Sequence, residues 1–234
     1  MPPKLEGLQK PLLYLITSGA TTVRTTPATK DFSNVLQLIQ SAVAARIDLV
    51  QIREKNLSAS VLYQLAASAA RITKGSATKL LVNDRSDIAS AAGADGVHLT
   101  TTSLPTSAVR QAFGDEFLIG VSTHSLEEAS LAHRSGADFV VFGPVFATSS
   151  KNEYGKPAGL TNLTRVSNQL APFPVLALGG VAMDNAADCM QAGAGGIAAI
   201  RMFSDPQRLP EIAKKLREMF GSDAKYSSSL EPKL

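Results

Sequence analysis

The sequence predicts an α/β protein, a single closed (β/α)8 barrel, on three observations. First, a short phrase recurs: GADGVHL from Gly93, GADFVVF from Gly136 and GAGGIAA from Gly193. Each time a helical pattern ends at a glycine and an apolar run of strand length follows. Glycine just past a helix end takes the left-handed conformation at little cost, and a short continuous apolar run reads as a strand buried on both faces. The phrase is therefore a helix-to-strand joint used repeatedly. Second, eight apolar runs alternate with helical patterns along the chain. Third, 234 residues suit eight βα units folded as one domain. An open doubly wound sheet is the alternative, but no GxGxxG follows the first strand.

The elements follow in order. Residues 1–10 read as a loose arm. LLYLIT from Leu12 is the first strand, and a Thr-rich loop from Ser18 to Lys30 follows it. Asp31 is placed to cap a helix running to Arg46, with Val35, Leu36, Ile39 and Val43 on one face. DLVQIR from Asp48 is the second strand. Ser58 caps the next helix, which ends near Gly75, and KLLVND from Lys79 is the third strand. A short helix, Ser86 to Ala92, leads to the fourth strand at Gly96–Leu99. Pro105 suits the first turn of the fourth helix. FLIGV from Phe117 is the fifth strand, and Ser125 caps the helix after it, with Glu127 and Glu128 placed for its dipole.

The sixth strand is Phe139–Phe142. A loop from Gly143 to Gly159 then separates it from its helix, and loops this long in a compact domain are usually lids or binding loops. VLALGG from Val175 is the seventh strand, followed by a helix from Asp184 to Ala192. The eighth strand is Gly196–Ile200, and Pro206 opens a last helix ending near Phe220. This is one TIM-barrel domain over residues 1–220, with a polar, disordered tail over 221–234.

Composition narrows the function. Net charge is +3 with a pI near 9.0, and no basic run or basic-aromatic stripe points to nucleic acid. The single cysteine, Cys189, rules out a disulfide framework and reads as buried packing. The first ten residues lack an apolar signal core, and no apolar stretch approaches the roughly 20 residues of a membrane span. A soluble cytoplasmic protein is expected, with no membrane partner. A homodimer is left open.

Barrel enzymes work at the C-terminal ends of their strands. Asp48, Asp95 and Asp138 lie at strand starts and read as structural. After the second strand, Gln51, Arg53 and Lys55 share one direction by period-two alternation. Two cations and an amide there suit a phosphate or pyrophosphate; surface charge on a solvated loop is the alternative. After the third strand, Asn83-Asp84 offers a carboxylate that could hold Mg²⁺ with substrate phosphate oxygens, or could cap the next helix. After the fifth come Ser122, Thr123 and His124. The ring of His124 reads as a cap or surface group, and His98, inside the fourth strand, as either packed or chemical. Thr148-Ser149-Ser150-Lys151 in the long loop offers hydroxyls and a cation on a movable lid, with Gly155 and Gly159 as hinges. Gly179-Gly180, with Ile200-Arg201, forms the usual barrel phosphate site; a plain turn is the alternative for the glycines.

Taken together, QIREK from Gln51, ND at Asn83, GADGVHL, GVSTHSLEEA from Gly120, GADFVVFGPVF, the 148–151 loop and GGV from Gly179 resemble the thiamine phosphate synthase superfamily, which also holds thiazole tautomerases. The resemblance implies a synthase that joins an aminomethyl-pyrimidine pyrophosphate to a thiazole phosphate, both small phosphorylated molecules. It implies that Gln51, Arg53, Lys55 and Asn83 hold the pyrimidine substrate and that Asp84 ligates Mg²⁺. Ser122, Thr148, Ser150 and Lys151 would contact pyrophosphate or the pyrimidine. Gly180 and the end of the last strand would take the thiazole phosphate. Two positions depart from the pattern: Ser103 stands where a second acidic metal ligand is usual, and Arg201 where serine is usual. Ser103 is tautomerase-like, but the tautomerase histidine would fall at Pro144. A tautomerase-like isomerase and a non-catalytic binder of thiazole or thiamine phosphate are the alternative readings.

Overall fold

A computed structural model describes residues 5–147 and 157–227, with side chains as far as Gly221. Eight parallel strands close on themselves in chain order. They are β1 (Leu12–Ile16), β2 (Leu49–Ile52), β3 (Lys79–Asn83), β4 (Gly96–Leu99), β5 (Leu118–Thr123), β6 (Phe139–Phe142), β7 (Val175–Ala177) and β8 (Gly196–Ala199). The helices between and after them are α1 (Lys30–Ala44), α2 (Ala59–Thr73), α3 (Ser86–Ala92), α4 (Thr106–Phe113), α5 (Leu126–Arg134), α6 (Gly159–Leu170), α7 (Ala186–Gln191) and α8 (Leu209–Ser227). Leu12 pairs with Gly196 to seal the barrel.

Alternation along each strand sorts the core into two shells. Leu12, Tyr14 and Ile16 face the barrel interior with Leu49, Leu81, Leu118, Phe139, Val141, Leu176 and Ala198. Leu13, Leu15, Val50, Ile52, Val97, Ile119 and Val140 face the helices. The three repeat phrases do make helix-to-strand joints: Gly93, Gly136 and Gly193 all have positive φ, between 73° and 94°. The caps at Ser58 and Ser125 form as expected, their hydroxyls accepting from Val61 N and Glu128 N. Asp31 does not cap. Thr29 holds the cap position and Asp31 sits in the first turn, accepting from the Thr25 hydroxyl.

Both ends of the chain differ from expectation. The N-terminal arm is not loose where it is described. Leu5 is fully buried among the interior side chains, and Arg217 of α8 donates to the carbonyls of Gln9 and Pro11. The last helix begins at Leu209 rather than Pro206 and continues to Ser227, past Phe220. Its end carries the expected tail region into helix; residues 228–234 lie outside the described residues.

The three strand-start aspartates share one structural job. Asp48, Asp95 and Asp138 accept from the second amide of the preceding strand: Leu13 N at 2.7 Å, Leu80 N at 2.8 Å and Ile119 N at 2.7 Å. Each also meets a cation, respectively Arg217, Lys79 and Arg110. In the third phrase Gly195 replaces the aspartate and lacks the carboxylate bond, while its amide keeps a backbone bond, to Val175 O, like those of Asp48, Asp95 and Asp138 to Leu13, Leu80 and Ile119 O.

Candidate active site

The opposite end of the barrel, where the strands finish, gathers the polar side chains. Strand β2 ends at Ile52, and the backbone then leaves the sheet direction. Gln51 still points inward and is 1% exposed. Arg53 is half-buried, its amide donating to the Thr17 hydroxyl at 2.8 Å. Lys55 is exposed in the turn that follows. Gln51 therefore differs from the two cations in setting: its amide is already engaged inside the barrel.

Gln51 begins a chain of polar groups across the upper interior. Its Nε2 donates to the Tyr14 hydroxyl at 2.8 Å. That hydroxyl lies 3.2 Å from His98 Nδ1, and His98 Nε2 lies 2.9 Å from Ser122 Oγ. His98 has room because Gly120 has no side chain: a Cβ there would stand 2.8 Å from His98 Nδ1 and 2.3 Å from the Phe139 ring. Burial, with the Arg53 charge in support, pushes the His98 pKa down to about 3, so the ring is neutral at physiological pH. Burial also raises the Tyr14 phenol, which stays protonated.

Sequence reasoning missed two residues here. Tyr14 faces the barrel interior from β1, and a tyrosine in an apolar run passes for core. Glu54, in the middle of QIREK, falls by alternation on the side opposite Gln51, Arg53 and Lys55 and carries no signal of its own in the sequence. It is only 3% exposed. Its carboxylate accepts from Gly19 N (3.2 Å), Thr21 N (3.0 Å) and the Thr21 hydroxyl (2.7 Å), fastening the β1–α1 loop beside Arg53.

At the end of β3, Asn83 is partly exposed and Asp84 is exposed, with φ 64° and its amide on His98 O at 2.9 Å. Asp87 is taken by a bidentate pair with Arg85. Ser103 closes its own loop: its hydroxyl accepts from Thr100 N at 2.8 Å and lies 3.1 Å from the Thr100 hydroxyl. Among the described residues no three His, Cys, Asp or Glu side chains cluster as a metal cage. The exposed Asp84 carboxylate instead suits a cation that completes its shell with water and substrate phosphate oxygens, as Mg²⁺ does.

The loop after β6 is anchored at its roots. Val145 N and Phe146 N donate to Leu178 O and Gly179 O, and Ala158 N and Gly159 N return to Pro144 O and Val145 O. Thr148, Ser150, Lys151 and the hinge glycine Gly155 lie outside the described residues. The Gly179-Gly180 pair meets this loop: with φ of 92° and 67°, a Cβ on Gly179 would strike Pro144 Cα at 2.5 Å, and one on Gly180 would strike Ala147 O at 2.7 Å. These glycines thus allow close approach of protein backbone. Beyond β8, Ile200 is partly buried and Arg201 opens a short 3-10 turn, exposed. His124 Nδ1 lies 2.5 Å from Gly143 O, which ties the end of β5 to the start of this loop.

A closed (β/α)8 barrel with cations, hydroxyls and a strand-end carboxylate at one mouth defines a class, the barrel enzymes that handle phosphorylated small molecules. Comparisons narrow the class. The thiamine monophosphate synthase family model matches residues 13–203. The chain is 38% identical over 182 residues to a thiamine-phosphate synthase of Chloroflexus aurantiacus, covering 78% of this chain and 83% of that one. It is 36% identical over 184 residues to the Moorella thermoacetica thiamine-phosphate synthase, covering 79% and 87%. A solved structure of Pyrococcus furiosus thiamine phosphate pyrophosphorylase superposes with a TM-score of 0.73 at 27% identity, covering 90% of this chain and 96% of that one. The chain belongs to the thiamine monophosphate synthase family. Among the described residues no helix is long and apolar enough to cross a membrane.

Proposed function

We propose that the chain is a transferase, a thiamine phosphate synthase that couples hydroxymethylpyrimidine pyrophosphate to thiazole phosphate and releases pyrophosphate. The observation that carries this reading is the convergence of Arg53, Asn83, Asp84 and Ser122 at one barrel mouth in a chain of this family. The bond to pyrophosphate breaks at the methylene carbon on the pyrimidine, whose ring can carry the developing positive charge. The thiazole nitrogen then bonds to that carbon. No protein nucleophile is required, and Cys189 is unsuited to be one: it is buried, and its thiol is pushed up to about 11.

The chain's own groups supply charge and orientation. Arg53, Lys55 and Lys151 neutralise the departing pyrophosphate, and Ser122, Thr148 and Ser150 offer it hydroxyl donors. Gln51 and Asn83 orient the pyrimidine. Gly179, Gly180, Ile200 and Arg201 hold the thiazole phosphate. Asp84 would hold Mg²⁺, which when bound would stabilise the leaving anion. Phosphorylated substrates and one buried thiol fit the cytoplasm. A homodimer is compatible with this site, because each residue named belongs to one chain. The isomerase alternative needs an accessible proton-transfer histidine; His98 is 2% exposed, and the exposed His124 has its Nδ1 engaged 2.5 Å from Gly143 O.

The test is an endpoint assay with both substrates and Mg²⁺, with thiamine phosphate sought by chromatography. Product that disappears with a chelator is expected. Folded protein that makes no product would overturn the synthase reading.

A further inference from the structure

We propose that Tyr14 and His98 are positioning residues that lock the Ser122 hydroxyl as a hydrogen-bond donor toward the barrel mouth, so that this point of the site accepts an anionic oxygen and disfavours an amine. The inference rests on the synthase reading for what occupies the mouth, and on the interior geometry for everything else. It follows from counting protons along four side chains from β1, β2, β4 and β5.

The chain of bonds has a direction. Gln51 Nε2 donates to the Tyr14 oxygen, so the single phenolic proton is left for the next neighbour. That neighbour is His98 Nδ1, at 3.2 Å. A neutral imidazole carries one N–H, and with Nδ1 accepting, that proton sits on Nε2. Nε2 lies 2.9 Å from Ser122 Oγ and donates to it. Ser122 therefore spends a lone pair on His98 and turns its own proton outward, to the mouth. The protonation states agree, since burial keeps Tyr14 protonated and His98 neutral. The interior polar groups are also satisfied: among the described residues the one buried side-chain polar atom without a partner is Ser167 Oγ, on α6.

The fixed direction matters because a free serine hydroxyl can serve either as donor or as acceptor. Pre-setting it as a donor removes one wrong orientation before substrate arrives, which is the logic of preorganised anion stabilisation. Ser122 then contributes most when negative charge builds on the departing pyrophosphate.

Two measurements test this. The first is ¹⁵N NMR of the histidine rings in the whole wild-type chain, which has three histidines. His98 is expected as the Nε2–H tautomer with no titration between pH 5 and 8. The Nδ1–H tautomer, or titration in that range, overturns the proposal whatever the protein's activity. The second is kinetic. Tyr14→Phe keeps the ring and removes the donor to Nδ1. It is expected to lower kcat about tenfold while leaving the KM for thiazole phosphate within twofold. The same change in a Ser122→Ala background is expected to cost less than twofold. An equal loss in both backgrounds overturns the relay. Absence of synthase turnover in wild type would sink the functional reading, and the NMR result would still decide the relay.

Discussion

The carboxylate of Glu54 accepts from both the amide and the hydroxyl of Thr21, at 3.0 and 2.7 Å, across a gap of 33 residues in sequence. It also takes Gly19 N. One buried side chain thus holds the loop that leads from β1 to α1. Glu54→Gln keeps the volume but exchanges one acceptor oxygen for an NH₂ that faces donors. We expect a loss of about 1–3 kcal/mol in urea unfolding, from donors left without an acceptor. Because the same loop flanks Arg53, the KM for the pyrimidine pyrophosphate should rise severalfold. An unchanged KM would mean that the loop does not shape the mouth.

The pair between Arg110 and Asp138 carries the same logic to the other end of the barrel. Arg110 donates to Asp138 at 2.8 Å and to the carbonyls of Gly136, Gly114 and Phe117, with side chains 16% and 7% exposed. Asp138→Ala strands a nearly buried guanidinium and Ile119 N. Removing one partner of such a pair costs about 3–5 kcal/mol. The Lys79–Asp95 pair is about a third exposed on each side. Solvent screening makes its charge contribution much smaller, about 1 kcal/mol or less, so Asp95→Ala, which likewise removes the acceptor of one strand amide, should be the milder change. Equal losses in chemical denaturation would show that the amide bonds, not the cations, set the effect.

These two sites also show what the sequence made legible. The barrel followed from the repeated glycine phrases, because a repeated joint leaves a repeated signature, and the structural role of the three aspartates followed from their place at strand starts. Arg53, Asn83, Asp84 and Ser122 were legible because topology says which strand ends matter. Glu54 was not, because alternation stops meaning anything once β2 ends at Ile52 and the chain turns. Tyr14 was not, because a hydroxyl inside an apolar run is read by its ring. The buried arm at Leu5 was hidden in the same way: two leucines, Leu5 and Leu8, in a short polar stretch give no period. The sequence marks the glycines after β7 by their place in the barrel, but not the close packing of the loop after β6 against them, which their positive φ and missing side chains permit.

His98 makes stability depend on pH. Its folded pKa is pushed from 6.5 to about 3, so between those values the unfolded chain binds one more proton than the folded one. Stability is then complete above pH 6.5 and falls as pH drops, by about 1.4 kcal/mol per unit for one proton. From pH 7 to 5 the loss due to this ring should be about 2 kcal/mol. His98→Gln removes the titration and should flatten that part of the profile, whatever it costs at pH 7. Burial raises the Asp48 carboxyl despite Arg217 beside it. That shift acts in the opposite direction and is common to both proteins, so it cancels in the comparison. Parallel urea-stability profiles for wild type and variant would refute the assignment.

Asp84 needs a substitution that separates charge from backbone. Its φ of 64° lies in the left-handed region, which Asp and Asn tolerate and Ala does not. Asp84→Ala would add strain of about 1 kcal/mol or more to the loss of the carboxylate. Asp84→Asn keeps the conformation and the exposed position, so unfolding stability should stay within about 0.5 kcal/mol. The Mg²⁺ requirement is the discriminating readout. With one strand-end carboxylate available, and Ser103 engaged with Thr100, the variant should need at least tenfold more Mg²⁺ for half-maximal turnover and show a lower maximum. If the Mg²⁺ dependence of Asp84→Asn matches wild type, the metal does not bind through this carboxylate and the pyrophosphate alone carries it into the site.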